Sequence, residues 1–131
     1  PVAVVILAGT NDIAGNTGPM TTNQIFDNMV SMVELAEANG IVPIVSSILP
    51  ASKYPWKPEV DSVGPILELN MMLKYYCEGK GLVYLDYFSE MVDDVNGLPE
   101  ALSYDGVHPT DEGYQVMEPL ALTAINEALK D

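Results

Sequence analysis

Three short apolar runs, residues 2–8, 41–49 and 82–85, set the strongest limit on what this chain can fold into. Each is rich in Val, Ile and Leu, and none alternates strictly between apolar and polar positions. That is the pattern of strands covered on both faces. The segments between them have a helical period. Over residues 22–39, Ile25, Met29, Met32, Val33 and Ala36 share one face, with a Thr21/Gln24 capping-box pair at the start and Asn39-Gly40 as the stop. Over residues 65–78, Ile66, Leu69, Leu73, Tyr76 and Cys77 form a second stripe, with Pro65 suited to the first turn and Gly79 to the exit. A third helix is expected from Asp111, capped by Thr110, toward Lys130. Leu122, Ile125 and Leu129 align along it, and Pro119 should kink or divide it.

Strand, helix, strand, helix, strand, long loop, helix is the order of right-handed βαβ units around a parallel sheet. Its length of 131 residues fits one domain, without repeats or low-complexity tracts. In such sheets, ligands sit beyond the carboxyl ends of the strands. Residues 9–20, 50–64 and 86–109 leave those ends here. The corner Gly9-Thr10-Asn11-Asp12, the loop holding Trp56 and the lone His108 therefore belong on one edge.

Composition excludes some partners. Lys and Arg number 5 against 19 Asp and Glu, a net charge of −14, which repels phosphate backbones and anionic membranes. Nucleic acid and membrane are thus not expected as partners. No apolar run reaches the roughly 18 residues that a membrane span needs. The single cysteine, Cys77, has no internal partner for a disulfide and falls on a helical apolar face, as a buried thiol does.

The motif Asp105-Gly106-Val107-His108-Pro109 carries a second clue. A carboxylate three residues before a histidine, in a turn leading into a helix, can accept from one ring nitrogen and leave the other facing a cleft. A general base needs that orientation. The plainer alternative is an Asp capping a turn beside an exposed His. Asn11 can donate to a developing oxyanion, a contribution of ~3 kcal/mol in acyl transfer. Its plainer alternative is a turn residue bonded to its own backbone, and that reading is preferred for Asp12. Of the serines, Ser31, Ser46, Ser47, Ser52, Ser62, Ser89 and Ser103, none lies in a Gly-x-Ser-x-Gly elbow; Asp61-Ser62 is a decoy in a proline-rich loop.

Taken in order, Gly9-Thr10-Asn11-Asp12 and Asp105-Gly106-Val107-His108-Pro109 resemble the third and last of the four blocks of the SGNH, or GDSL-type, hydrolases, a family of esterases and lipases. The resemblance implies a three-layer α/β/α, flavodoxin-like fold over residues 1–131, seen as a single partial domain. It implies that Asn11 donates to the oxyanion, His108 is the general base and Asp105 orients it. The family's Gly-Asp-Ser nucleophile block and its glycine block precede the third block, so here they are expected upstream of Pro1. The chain then reads as an N-terminally truncated fragment, inactive alone. Any signal peptide would also lie upstream, which leaves a secreted or periplasmic location open. In the family the Gly-x-Asn-Asp strand pairs with the nucleophile strand, so residues Val2 to Ala8 are expected to form an open apolar edge, prone to dimerisation, strand exchange or association with the missing piece.

The loop Pro50-Ala51-Ser52-Lys53-Tyr54-Pro55-Trp56-Lys57-Pro58 holds the only tryptophan, and Tyr54 and Trp56 are the expected substrate-binding residues. The alternative is a rigid lid over the core. A small ester or an acetylated carbohydrate is the expected substrate class. No cofactor or metal is expected. Asp93-Asp94-Val95-Asn96-Gly97 has a calcium-loop flavour, yet aligning Gly97 with the sixth loop position puts Val92 first and Ser103 twelfth, where carboxylates are needed. No Gly-rich phosphate loop ending in Lys-Ser/Thr is present. Two other readings compete with the esterase: a non-catalytic binding domain on the same fold, and a receiver or nucleotide binder, which gives Asp105 and His108 no role.

Overall fold

The computed structural model describes residues 1–130. Strands β1 (Ala3–Ile6), β2 (Val42–Ser46) and β3 (Val83–Leu85) form one parallel sheet in the order β1-β2-β3. Ala3 lies opposite Val42, and Ile44 opposite Val83. Side chains alternate across this sheet, and both faces are apolar. Val4, Ile6, Val45 and Tyr84 face one layer with Met29, Val33, Leu73 and Cys77. Ala3, Val5, Ile44, Val83 and Leu85 face the other with Met117 and Ala124. Runs without polar alternation are what this double coverage requires.

Helices supply the two covers. α2 (Thr22–Ala38) and α3 (Val63–Lys80) pack together on the first face, and α5 (Asp111–Ala128) crosses the second. The capping box is complete: Thr21 Oγ1 accepts from Gln24 N, and Gln24 Oε1 accepts from Thr21 N. Thr110 caps α5 by accepting from Gly113 N. The parallel sheet is the one expected from the strand–helix alternation, and the architecture is the three-layer α/β/α fold that the family resemblance implies. Among the described residues, no helix is long and apolar enough to cross a membrane.

Several local expectations need correction. Two segments read as loops contain short helices, α1 (Thr10–Ile13) and α4 (Tyr87–Met91). Four and five residues are too few to display a helical period. α3 runs past Gly79 and exits at Gly81, whose φ of 71° suits the left-handed stop. α5 is not divided at Pro119. A proline removes one backbone donor and fits helical φ, and Met117 and Ala124 hold the helix to the sheet on either side of it. Leu122 and Leu129 are 57% and 44% exposed. They lie about 120–140° around the helix from Met117 at ~100° per residue, so their alignment was not the buried face. Met32 is also exposed, whereas Ile25, Met29, Val33 and Ala36 are buried as the stripe required.

A third apolar cluster matters most for function. Ile13, Ala14, Ile25, Ile48, Ala51, Tyr54, Ile66, Leu69 and Val107 pack beneath the loops that leave the strands. Asn70, on the buried stripe of α3, pins this region: its Oδ1 accepts from Ile48 N at 2.7 Å and its Nδ2 donates to Ile48 O at 3.1 Å. The amide thereby completes a strand-end residue that has no ladder partner of its own.

Candidate active site

β1 ends at a corner that only glycine fits comfortably. Gly9 has φ of 119°, and a Cβ there would lie 2.9 Å from Cδ1 of Ile48. The left-handed residue turns the chain straight into α1, which carries Asn11 on its first turn. Asn11 is exposed, and its Oδ1 accepts from Asn16 Nδ2 at 2.9 Å. Asp12 closes the turn through its carbonyl, which accepts from Gly15 N.

The second half of the site comes from residues 103–110. Asp105 Oδ2 lies 2.6 Å from His108 Nδ1, while Asp105 Oδ1 accepts from the backbone N–H groups of Val107 (2.9 Å) and His108 (2.7 Å). Burial pushes the Asp105 carboxyl upward as the largest single influence. The His108 backbone N–H, the His108 ring, the Val107 N–H and the imidazole charge together outweigh it and hold the group at about 2. Asp105 is therefore ionised at neutral pH, and a carboxylate can only accept. Nδ1 must then carry the ring proton, leaving Nε2 of the neutral imidazole as the nitrogen with a free lone pair.

Ser103 buttresses this turn, a role its sequence position did not signal. Its buried hydroxyl accepts from Gly106 N at 2.9 Å and donates to His108 O at 2.8 Å. Gly113 lets α5 approach closely, since a Cβ there would meet Leu102 O at 2.5 Å.

The two halves meet. Gly9, Thr10, Asn11, Asp12, Trp56, His108 and Tyr114 line one cleft of ≈ 460 Å³, floored by Leu49, Val107 and Met117. Larger-scale topology had placed these segments on one edge, and the cleft is where they converge. Trp56 is 43% exposed and its ring centroid lies 6.3 Å from that of His108; Tyr104 lies 6.1 Å from His108 on a nearly parallel plane. Tyr54 does not reach the cleft surface. It is fully buried, its phenol pushed up to about 12 by burial, and it stacks under Trp56 at 5.4 Å. The expectation that both aromatics contact substrate is therefore corrected for Tyr54, which supports Trp56 from below.

No serine lines the cleft among the described residues. Ser62 is buried and donates to Ala51 O, Ser46 donates to Ser47 O, and Ser89 donates to Asp86. Asp93 Oδ1 is occupied by Val95 N and Gly97 N, so the acidic stretch there is a polar turn.

A parallel three-layer sandwich with an Asp–His pair and an asparagine at the strand ends defines an SGNH-type hydrolase fold. The GDSL-like lipase/acylhydrolase family model matches residues 1–116, and the chain belongs to that family. It is similar to a candidate acylhydrolase from Bacteroides fragilis (46% identity, TM-score 0.95), over 99% of this chain and 64% of that one. It is also similar to a GDSL-like lipase from Bacteroides thetaiotaomicron (42% identity, TM-score 0.94), over 98% of this chain and 64% of that one. A candidate lipolytic G-D-S-L protein from Desulfitobacterium hafniense matches at 27% identity with a TM-score of 0.75, over 95% and 65% of the two chains. The chain thus spans less than two thirds of the length of these relatives. No curated protein matches.

Proposed function

We propose that this chain supplies the general base, its orienting carboxylate and one oxyanion donor of a serine esterase that cleaves small esters, with acetylated carbohydrates as the favoured class. In this reading the nucleophilic serine belongs to sequence upstream of Pro1. The serine oxygen attacks the ester carbonyl, and its proton passes to Nε2 of His108. The carbonyl becomes an oxyanion facing the Asn11 amide. Collapse expels the alcohol, which takes the proton from His108, and water later releases the acid by the same route.

The observation that carries the reading is the shared cleft of Asn11 and His108, with Nδ1 of His108 held 2.6 Å from Asp105. The sugar preference is supported by the aromatic faces of Trp56, Tyr104 and Tyr114, all exposed at or beside the cleft. The second reading, a binding domain that kept the fold without the chemistry, uses the same cleft. Expression with the upstream sequence included separates them. The esterase reading expects hydrolysis of a chromogenic acetyl ester and covalent labelling of an upstream serine by a fluorophosphonate. Neither signal, from folded protein, contradicts it.

A further inference from the structure

We infer that Trp56 and Asn16 form a hydrogen-bond relay that fixes which end of the Asn11 amide faces the cleft; the inference rests on the esterase reading above. An asparagine amide has nearly the same outline when flipped, but its two faces differ in sign: NH₂ would stabilise an oxyanion and the carbonyl oxygen would repel it. Something must choose between them. The indole N–H is a donor with no acceptor capacity, and Trp56 Nε1 lies 3.1 Å from Asn16 Oδ1. That fixes the Asn16 amide, whose Nδ2 then points to Asn11 Oδ1 at 2.9 Å. Asn11 Oδ1 is thereby occupied, and Asn11 Nδ2 is left as the cleft-facing donor.

The relay is anchored at both ends. Trp56 rests on the buried Tyr54 ring. The next residue, Lys57, donates to Gly15 O at 3.0 Å, so two successive residues of one loop grip two successive residues of the other. Asn16 N donates to Asn11 O at 3.0 Å, which fixes the spacing between the two amides. Asn16 and Trp56 are positioning residues in this account. They act through Asn11, although Trp56 also borders the cleft.

Asn16→Asp is the sharpest test, because it keeps size and acceptor but removes the donor. The new carboxylate accepts from both Trp56 and Asn11, turning Nδ2 of Asn11 away from the cleft. In protein expressed with its upstream sequence, kcat for acetyl-ester hydrolysis should fall at least tenfold, toward the ~10²–10³ loss of an oxyanion donor. KM should stay within about twofold. Asn11→Ala with Asn16→Asp should be no slower than Asn11→Ala alone. Trp56→Phe, which keeps a ring and removes the N–H, should also lower kcat. Trp56 is the only tryptophan of these 131 residues, and its indole N–H resonance in ¹⁵N-labelled protein, assigned by its loss in Trp56→Phe, reports the first bond directly; Asn16→Ala should shift it and speed its hydrogen exchange. Wild-type kcat in Asn16→Asp, with activity abolished in His108→Ala, overturns the relay and leaves the esterase reading intact. Full activity in His108→Ala overturns both. An indole resonance indifferent to Asn16→Ala shows that the first bond does not form.

Discussion

Nδ1 of His108 lies 2.6 Å from Oδ2 of Asp105, and the other oxygen of that carboxylate holds the backbone N–H groups of Val107 and His108. One side chain therefore shapes the turn and orients the ring it carries. The first prediction follows from its depressed titration, at about 2 against the ordinary 3.8. A carboxyl whose folded value is lowered contributes stability that is complete above the unfolded value and is lost as pH falls through the folded one. The stability gap between wild type and Asp105→Asn, measured by urea unfolding, should be constant from pH 7 to 5 and shrink from pH 4 toward pH 2. A gap independent of pH over that range contradicts the pairing.

Asn70 is expected to be among the most sensitive positions outside the cleft. Asn70→Ala strands both backbone groups of Ile48, whose side chain touches the Gly9 corner. A loss of about 2 kcal/mol is expected from unpaired buried backbone, read as a lower midpoint in urea. A loss near zero shows that these bonds add nothing.

Tyr54 should behave in the opposite sense. Its buried hydroxyl has no hydrogen-bond partner among the described protein atoms, and an unsatisfied buried hydroxyl is a cost. Tyr54→Phe should leave the melting temperature unchanged or raise it. Tyr54→Ala should destabilise by about 3–5 kcal/mol through the cavity it opens under Trp56. A large destabilisation by Tyr54→Phe requires a partner for the hydroxyl.

The free side of β1 yields a prediction about assembly. Among the described residues β1 pairs only with β2, and an apolar groove lined by Val2, Ala3, Val4, Val5, Ile125 and Leu129 runs along it. An exposed apolar edge is a template for strand pairing. Produced as these 131 residues, the protein should be dimeric or larger by light scattering at high concentration. Val2→Lys, at the exposed end of that groove, should shift it toward monomer. A monodisperse wild-type monomer contradicts this expectation.

The layers of the fold were legible because each strand is a run without polar alternation and each long helix has a stripe and a cap. Elements too short for a period, α1 and α4, were not. On α5 the alignment of Leu122, Ile125 and Leu129 met the core only at Ile125, while Gly113, Met117 and Ala124 are the buried residues. At the site, Asn11, Asp105 and His108 were readable because each motif is local in sequence. Ser103, Asn70 and Asn16 were not. Asn70 and Asn16 owe their places to partners 22 and 40 residues away, which come near only once the chain folds; Ser103 bonds backbone groups of its own turn, which no motif marks. Tyr54 was misplaced because neighbouring aromatics in a loop look alike in sequence, and burial alone separates them.

Asn11 and His108 serving one ester carbonyl is the claim on which the rest turns. Its most direct test is kcat/KM for a chromogenic acetyl ester, compared between wild type and His108→Ala in protein carrying its upstream sequence. Loss of a general base is expected to cost about 10³-fold or more, with the variant folded as judged by circular dichroism. Retention of the wild-type rate by His108→Ala contradicts the account.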